Sequence, residues 1–263
     1  MRFTIHDMGH GFCAHLRHDN DNVMLWDCSH KTPPEHRPSQ FLPASGIRTV
    51  HRMFITNNDE DHISDLPNLR DAVTIDILHR NPSITSNQLR RLKEETGSIS
   101  PAMEALLSMH DSYTSDVTNP PSFPNVTFET FWCTYPDDFR DTNNLSLVTF
   151  LETPMSNFLI PGDIEKPAWQ QLLQNPSFRK RLRNVSVFIA SHHGRTSGYC
   201  REVFDCCRPR VVIFSDGPRQ YATQEESNTY GAHASGVIFK GRTRRVLTTR
   251  KDGTIRWPLE QLS

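Results

Sequence analysis

Acidic and histidine residues recur in this chain at the ends of short apolar segments, and this pairing constrains the fold more than any other feature. Polar side chains at strand ends lie on loops that a rigid sheet can hold close together. Carboxylates and neutral imidazoles are the usual ligands of zinc and manganese. The pattern therefore predicts a metal site, and its members are Asp59-Glu60-Asp61-His62 after Phe54-Ile55, Gly162-Asp163 after Phe158-Leu159-Ile160-Pro161, Ser191-His192-His193-Gly194 after residues 185–190, and His233 before an apolar strand.

Segments of strand length dominate both ends of the chain, and helical spacing lies between them. Apolar residues at helical intervals predict helices within residues 86–110, interrupted at Gly97 and Pro101, and a further helix over 167–173. The prolines of residues 32–43 predict a loop. The class is therefore mixed α/β, with strands predicted near residues 3–6, 12–16, 23–26, 52–55, 127–132, 145–151, 158–160, 185–190, 210–214, 236–239, 245–249 and 254–257.

Length and charge limit the classes of protein to which the chain can belong. Its 263 residues can bury a sizeable core, and we treat residues 1–263 as one domain. No apolar run approaches the ~20 residues of a membrane span, and the first seven residues show no apolar signal core. These features predict a cytoplasmic protein that does not contact a membrane. The net charge of -1 excludes a generic nucleic-acid-coating protein, so any polyanion must meet local basic patches.

Eight short motifs occur in order along almost the whole chain. Together they resemble the metallo-β-lactamase superfamily, and within it the DNA-uptake (ComEC/Rec2-like) branch of metallo-hydrolase domains. The resemblance implies a four-layer αββα sandwich with a helical insertion near residues 70–120. The motifs are Asp7-Met8-Gly9-His10-Gly11-Phe12, Leu25-Trp26-Asp27-Cys28, residues 56–62, Asn143-Asn144-Leu145-Ser146-Leu147-Val148, residues 158–163, Ser191-His192-His193-Gly194 with Ser197, Tyr230-Gly231-Ala232-His233, and Arg250-Lys251-Asp252-Gly253-Thr254-Ile255.

The first metal motif departs from the family pattern. The family places two histidines where this chain has Asn57 and Asp59, and no histidine lies between His110 and His192. The resemblance implies that the second metal site remains, held by Asp61, His62, Asp163 and His233. Asp59 and the Asn57 carbonyl offer oxygens to a first metal, and such ligation favours manganese or magnesium over zinc. The alternatives are a single bound metal or a site that binds none.

The resemblance also implies a reaction in which a divalent cation activates water for attack on phosphorus. The cofactor is then one or two ions of manganese or zinc, with magnesium also compatible. Asp61, His192 and His193 are the candidate catalytic residues. His192 or His193 either ligates metal or protonates the leaving oxygen, and the sequence does not choose between these roles.

Two basic runs, residues 179–183 and 240–251, can neutralise phosphates near such a site. They favour a phosphodiesterase or nuclease acting on DNA or a nucleotide diester, with a protein partner as a further source of specificity. The altered first motif supports an alternative, a non-catalytic protein of this fold that binds nucleic acid or a protein. A third hypothesis is a metal-dependent enzyme that hydrolyses a lactone or thioester instead of a phosphodiester.

Overall fold

The computed structural model describes residues 1–33, 35–218 and 226–259. The strands are β1 (Arg2–Ile5), β2 (Ala14–Arg17), β3 (Val23–Trp26), β4 (Thr49–Val50), β5 (Arg52–Phe54), β6 (Thr74–Ile75), β7 (Leu78–His79), β8 (Thr127–Phe131), β9 (Val148–Glu152), β10 (Asn157–Ile160), β11 (Val187–Ile189), β12 (Val211–Phe214), β13 (Val237–Phe239), β14 (Arg242–Arg244), β15 (Val246–Thr248) and β16 (Ile255–Trp257). The helices are α1 (Pro38–Ala44), α2 (Glu60–Ile63), α3 (Leu66–Ala72), α4 (Ser86–Glu94), α5 (Pro101–Ser112), α6 (Lys166–Leu172), α7 (Pro176–Leu182), α8 (Val203–Cys206), α9 (Ser227–Gly231) and α10 (Thr249–Asp252).

Two six-stranded mixed sheets form the centre of the fold. The first has the order β16-β1-β2-β3-β5-β7, in which β3, β5 and β7 are parallel. The second has the order β15-β12-β11-β10-β9-β8, in which β10, β11, β12 and β15 are parallel. Because parallel strands end at the same edge of a sheet, the loops that follow them meet there.

Three hydrophobic clusters show how the layers stack. One cluster lies between the sheets and joins Phe3 and Trp26 of the first sheet to Phe158 of the second. A second covers the outer face of the first sheet with residues of α1, α3, α4 and α5, and a third covers the outer face of the second sheet with residues of α6, α7 and α8. Two central sheets with helices on both outer faces make the four-layer αββα sandwich, so the predicted fold class is confirmed.

The predicted helical insertion is formed by α4 and α5. Thr85 caps α4 and exchanges hydrogen bonds with Gln88 in a capping box, and Ser100 caps α5. Leu89 and Leu106 are fully buried against the outer face of the first sheet. The insertion is therefore packed into the helical layer, which places α4 close to the loop after β5.

The segment predicted as a proline-rich loop contains a helix, so that prediction is wrong for α1. Pro38 occupies the first helical turn, where a missing N–H costs nothing and the fixed φ suits a helix. Leu42 is fully buried on the inner side of α1. Proline content alone therefore misled the prediction, because proline is favoured at helix starts.

Within the described residues, no helix is both long enough and apolar enough to span a bilayer. The longest helix in that part of the chain, α5, has 12 residues.

Candidate metal centre

Four side chains from three strand ends meet at one edge of the sandwich. Asp61 and His62 lie on α2, which follows β5, while Asp163 follows β10 and His193 follows β11. The ligand atoms of these four residues all lie within 4.8 Å of one another. His62, Asp163 and His193 are buried, and the Asp61 side chain is 30% exposed. We call these four residues the metal cluster, and its open side is at Asp61.

The buried carboxylate of Asp27 fixes the His62 ring. Nδ1 of His62 lies 2.7 Å from Oδ2 of Asp27, so this nitrogen carries the proton and Nε2 faces the cluster. Asp27 is itself held, because it accepts hydrogen bonds from the backbone N–H and the hydroxyl of Thr56. A carboxylate behind a ligating histidine sets its tautomer and raises its basicity.

A turn of unusual backbone geometry positions His193. His192, His193 and Gly194 have φ values of 51°, 54° and 79°, all in the left-handed region that side chains disfavour. Nδ1 of His193 donates to the Ser215 carbonyl over 2.9 Å, which directs Nε2 toward the cluster. A strained turn of this kind persists only where the surrounding structure holds it, and such turns concentrate at functional sites.

The Asn143–Val148 motif holds the turn that carries Asp163. The Asp163 N–H donates to Oγ of Ser146 over 3.0 Å, and the Glu165 N–H donates to Oδ1 of Asn144 over 3.1 Å. These side chains satisfy backbone groups that would otherwise be buried without partners. The motif therefore serves the cluster by fixing the Asp163 loop.

The titratable groups of the cluster shift one another strongly. Burial alone lowers the pKa of His62, but the charges of Asp163 and Asp27 outweigh burial and raise it well above its usual value. Burial raises the pKa of Asp163, yet His62 and His193 outweigh that effect and lower it. The pKa of Asp61 is lowered in the same way, because His193 and His62 outweigh its burial. Without a cation, the carboxylates therefore hold protons on the imidazoles.

The cluster fits a divalent cation. Nε2 of His62 lies 3.1 Å from Asp163 and Nε2 of His193 lies 3.3 Å from Asp61, but neither buried nitrogen makes a hydrogen bond of acceptable geometry. A cavity of about 10 Å³ lies against His62, Asp163 and His193. The two carboxylates carry a charge of -2, which a divalent cation neutralises once both imidazoles are deprotonated.

The structure places Asn57 and Asp59 outside this cluster. Asn57 donates from Nδ2 to Asn143 over 2.9 Å and accepts the Asp59 N–H at its carbonyl over 2.9 Å. The Asp59 carboxylate accepts from Nζ of Lys93 on α4 and from the Thr142 hydroxyl. Both predicted oxygen ligands are therefore engaged by the chain itself.

His192 lies beside the cluster rather than in it. Its Nε2 is 3.9 Å from Asp163 and 3.1 Å from Nη1 of Arg195, and its Nδ1 contacts Ser197 and Glu165. Arg195 also reaches Nε2 of His10 over 2.7 Å, and the His10 ring lies 5.0 Å from that of His193. Of the adjacent histidine pair, the structure brings His193 into the cluster and gives His192 a place next to Arg195.

His233 does not join Asp61, His62 and Asp163. Its Nε2 lies 2.8 Å from the Tyr199 hydroxyl, and its ring stacks on Phe204 at 4.2 Å. It is therefore packed against the outer helical layer of the second sheet, and His193 takes the fourth place in the cluster. The sequence carried a sign of this, because Ala232 is inserted between Gly231 and His233 relative to the family's Tyr-Gly-His-Pro turn.

Sequence reasoning missed several residues that shape the site. Asp27 carried a signal, since a carboxylate that ends an apolar strand is buried only when it has partners. The sequence carried no signal for Ser215, Lys93 and Arg195. Ser215 acts through its backbone carbonyl, and the long cationic side chains of Lys93 and Arg195 occur in no recognisable sequence pattern.

We expect Asp27→Asn to weaken divalent-metal affinity about 10- to 100-fold, since the amide cannot accept from His62 and Thr56 as a carboxylate does. Isothermal titration with manganese or zinc measures the change. Ser64→Ala is a control, because among the described residues the Ser64 hydroxyl hydrogen-bonds only with His30. Equal affinity in wild type and Asp27→Asn would show that Asp27 does not support the site.

Comparisons with known proteins agree with this architecture. The chain is 24% identical over 229 residues to ComE operon protein 3 of Bacillus subtilis (strain 168), which covers 82% of this chain and 26% of that protein. The chain thus spans about a quarter of the length of that relative. No protein-family model matches the chain.

Solved structures resemble the chain over almost its full length. Igni18, a metallo hydrolase from the archaeon Ignicoccus hospitalis, matches with a TM-score of 0.52 and 12% identity, covering 99% of this chain and 100% of that one. A protein from Thermotoga maritima that is described as a zinc-dependent hydrolase of the metallo-β-lactamase superfamily matches with a TM-score of 0.46 and 12% identity, covering 94% of this chain and 97% of that one. The likeness to Igni18 confirms the predicted fold, and the match to ComE operon protein 3 confirms the predicted resemblance to ComEC-like proteins.

Proposed function

We propose that this protein is a metal-dependent hydrolase that cleaves phosphodiester bonds, in DNA or in a nucleotide diester. The observation that carries the proposal is the metal cluster, in which two imidazoles and two carboxylates from three strand ends lie within 4.8 Å of one another. Two nitrogen and two carboxylate-oxygen ligands suit zinc or manganese. A bound cation of this kind supplies Lewis-acid and water-activating chemistry.

The buried and the exposed residues of the metal cluster have different roles. His62, Asp163 and His193 are buried and held by Asp27, Ser146 and Ser215, so they form the rigid base of the site. Asp61 is partly exposed, which places it at the mouth where substrate and water enter. A carboxylate there can orient the attacking water by accepting its hydrogen bond.

The position of Arg195 favours a substrate that contains a phosphoryl group. Its guanidinium contacts His192 and His10, the two imidazoles that flank the metal cluster. Arginine keeps its charge at all physiological pH values and matches the paired oxygens of a phosphate. A fixed cation in this position offsets the negative charge that develops on phosphoryl oxygens during attack. His192 holds this guanidinium beside the metal cluster, because its Nε2 accepts a hydrogen bond from Nη1 of Arg195 over 3.1 Å.

We also propose that the site takes one cation. A second ion would need ligands next to the first, and Asn57 and Asp59 occupy the positions of the two histidines in the family's first metal motif. The Asp59 carboxylate is already neutralised by the Lys93 ammonium, and Asn57 is bonded to Asn143. Lys93 comes from the helical insertion, so the insertion supplies a fixed positive charge where a second metal would otherwise bind.

The variants Asp59→Asn and Asp61→Asn test whether the site binds one cation or two. We expect Asp59→Asn to leave the number of bound metal ions unchanged, because its carboxylate pairs with Lys93 rather than with a cation. We expect Asp61→Asn to lower metal affinity about 100-fold or more, since it removes a charged ligand. Elemental analysis after gel filtration measures both. A lower metal content in Asp59→Asn would contradict the one-cation proposal.

Hydrolysis of bis(p-nitrophenyl) phosphate and of labelled DNA, each assayed with manganese, zinc, magnesium and nickel, tests the proposed activity. We expect cleavage that depends on the cation and is abolished by a chelator. Turnover of a lactone or thioester without turnover of either diester would assign the site a different bond. Metal binding without any hydrolysis would favour the alternative of a non-catalytic binding protein.

A further inference from the structure

A cleft rich in positive charge lies between α9 and the segment that runs from β14 to α10. It has a volume of about 480 Å³. Four cationic side chains line it together with polar donors, and none of the described residues that line it is acidic. The cationic residues are Arg244, Arg245, Arg250 and Lys251, and we call this feature the basic cleft.

Two of the four cations are held in place by buried acids. Arg244 donates to both oxygens of Asp252 over 3.2 and 3.1 Å. Arg250 lies 3.3 Å from Asp216, whose side chain is 2% exposed. These acids neutralise two charges and fix the two guanidinium groups from behind. The structure therefore presents an ordered wall rather than mobile surface side chains.

The other two cations, Arg245 and Lys251, remain uncompensated. Both are exposed, and neither has an acidic partner in the part of the chain that the structure describes. The cleft thus carries a charge of about +2 in a protein whose net charge is -1. A concave site with this excess attracts anions, and its affinity for them falls as salt rises.

The loop after β12 connects the cleft to the metal cluster. Its first residue, Ser215, accepts the hydrogen bond that orients His193. The next residue, Asp216, pairs with Arg250 and exchanges hydrogen bonds with Thr249 at the start of α10. Two adjacent residues of one loop, Ser215 and Asp216, therefore link the metal cluster to the basic cleft.

We propose that the basic cleft binds the sugar–phosphate backbone of a nucleic-acid strand whose neighbouring phosphodiester lies at the metal cluster. Arg245 and Lys251 contact phosphates, and the fixed Arg244 and Arg250 with Asn228 and Thr248 set the path of the strand. Such contacts carry no base specificity. The inference rests on the proposed function only for the bond that is cut, since binding in the cleft does not require cleavage.

Fluorescence anisotropy tests the proposal with a labelled single strand of about 20 nucleotides over a range of KCl concentrations. We expect Arg245→Glu/Lys251→Glu to weaken binding about tenfold or more at moderate salt, and to reduce the slope of log K against log[KCl] by about 1.4, or 0.7 for each lost phosphate contact. A strand with a neutral methylphosphonate backbone should bind weakly to the wild type.

Lys180→Glu/Arg183→Glu is the matched control. It makes the same change in net charge on exposed residues of the α7 region, which pairs through Arg181 with Glu129 of β8 and Glu152 of β9. These strands lie at the opposite edge of the second sheet from β15. We expect this variant to retain the wild-type salt slope.

The outcomes separate this proposal from the proposed function. Unchanged hydrolysis of bis(p-nitrophenyl) phosphate in Arg245→Glu/Lys251→Glu, together with weakened strand binding, supports the cleft. Equal strand binding by this variant and the wild type overturns it, as does equal affinity of the wild type for an acidic polypeptide. If no diester is cleaved but strand binding still depends on Arg245 and Lys251, the proposed activity fails and the cleft stands.

Discussion

Asp163→Ala is expected to remove divalent-metal binding and, with it, hydrolysis above the buffer background. Asp163 lies within 4 Å of three imidazoles, and its loss takes one of two negative charges from the metal cluster. A bound cation contributes several kcal/mol to the transition state, so we expect a loss on the order of 10³-fold in kcat/KM. Initial rates with bis(p-nitrophenyl) phosphate and a manganese titration measure the two effects.

Controls make this result specific to the cluster. Asp137→Ala removes an exposed carboxylate elsewhere and should leave both metal binding and hydrolysis unchanged. Asp163→Asn keeps the shape of the side chain and guards against a folding defect. Metal ions should raise the thermal midpoint of the wild type but not of either Asp163 variant. Full activity in folded Asp163→Asn would place the chemistry elsewhere.

Gly194→Ala is expected to destabilise the protein by about 2–5 kcal/mol. Gly194 has φ = 79°, and a methyl group there would lie 1.9 Å from the ring of Phe214. The left-handed backbone costs about 1–2 kcal/mol with a side chain, and the overpacking costs about 1–3 kcal/mol more. Because Phe214 precedes Ser215, the displaced ring also disturbs the carbonyl that orients His193. Urea unfolding measures the loss of stability.

Gly241→Ala isolates the steric part of that cost. Gly241 has a similar φ of 72°, but no atom lies within 4 Å of the position of an added methyl group. We expect it to lose only the backbone contribution, about 1–2 kcal/mol, with metal affinity unchanged. Similar losses in the two variants would show that the Phe214 contact does not constrain the turn.

The fold and much of the site could be predicted from the sequence, because the informative residues lie at strand ends. Asp61, His62 and Asp163 lie in the segments that follow the apolar strands β5 and β10, and the structure brings these segments together. The adjacent histidines His192 and His193 predicted that the segment after β11 contributes to the metal site. Which of them enters the cluster depends on the left-handed turn and on the Ser215 carbonyl, which pattern and propensity do not show.

Other features depend on contacts between distant parts of the chain. Lys93 is 34 positions from Asp59, and only the packing of the insertion against α2 brings them together. His233 follows a tyrosine and a glycine as in the family motif, yet a hydrogen bond to Tyr199 and stacking on Phe204 hold it elsewhere. Motif order therefore predicts which loops approach one another, and side-chain packing decides which atoms meet.

Elemental analysis of the purified protein, reconstituted with manganese or zinc and freed of unbound ions, tests the central claim most directly. We predict close to one equivalent of divalent metal in each wild-type chain and almost none in Asp163→Ala. Wild-type protein that retains neither metal, or whose metal content is the same after Asp61, His62, Asp163 and His193 are replaced in turn, would contradict it.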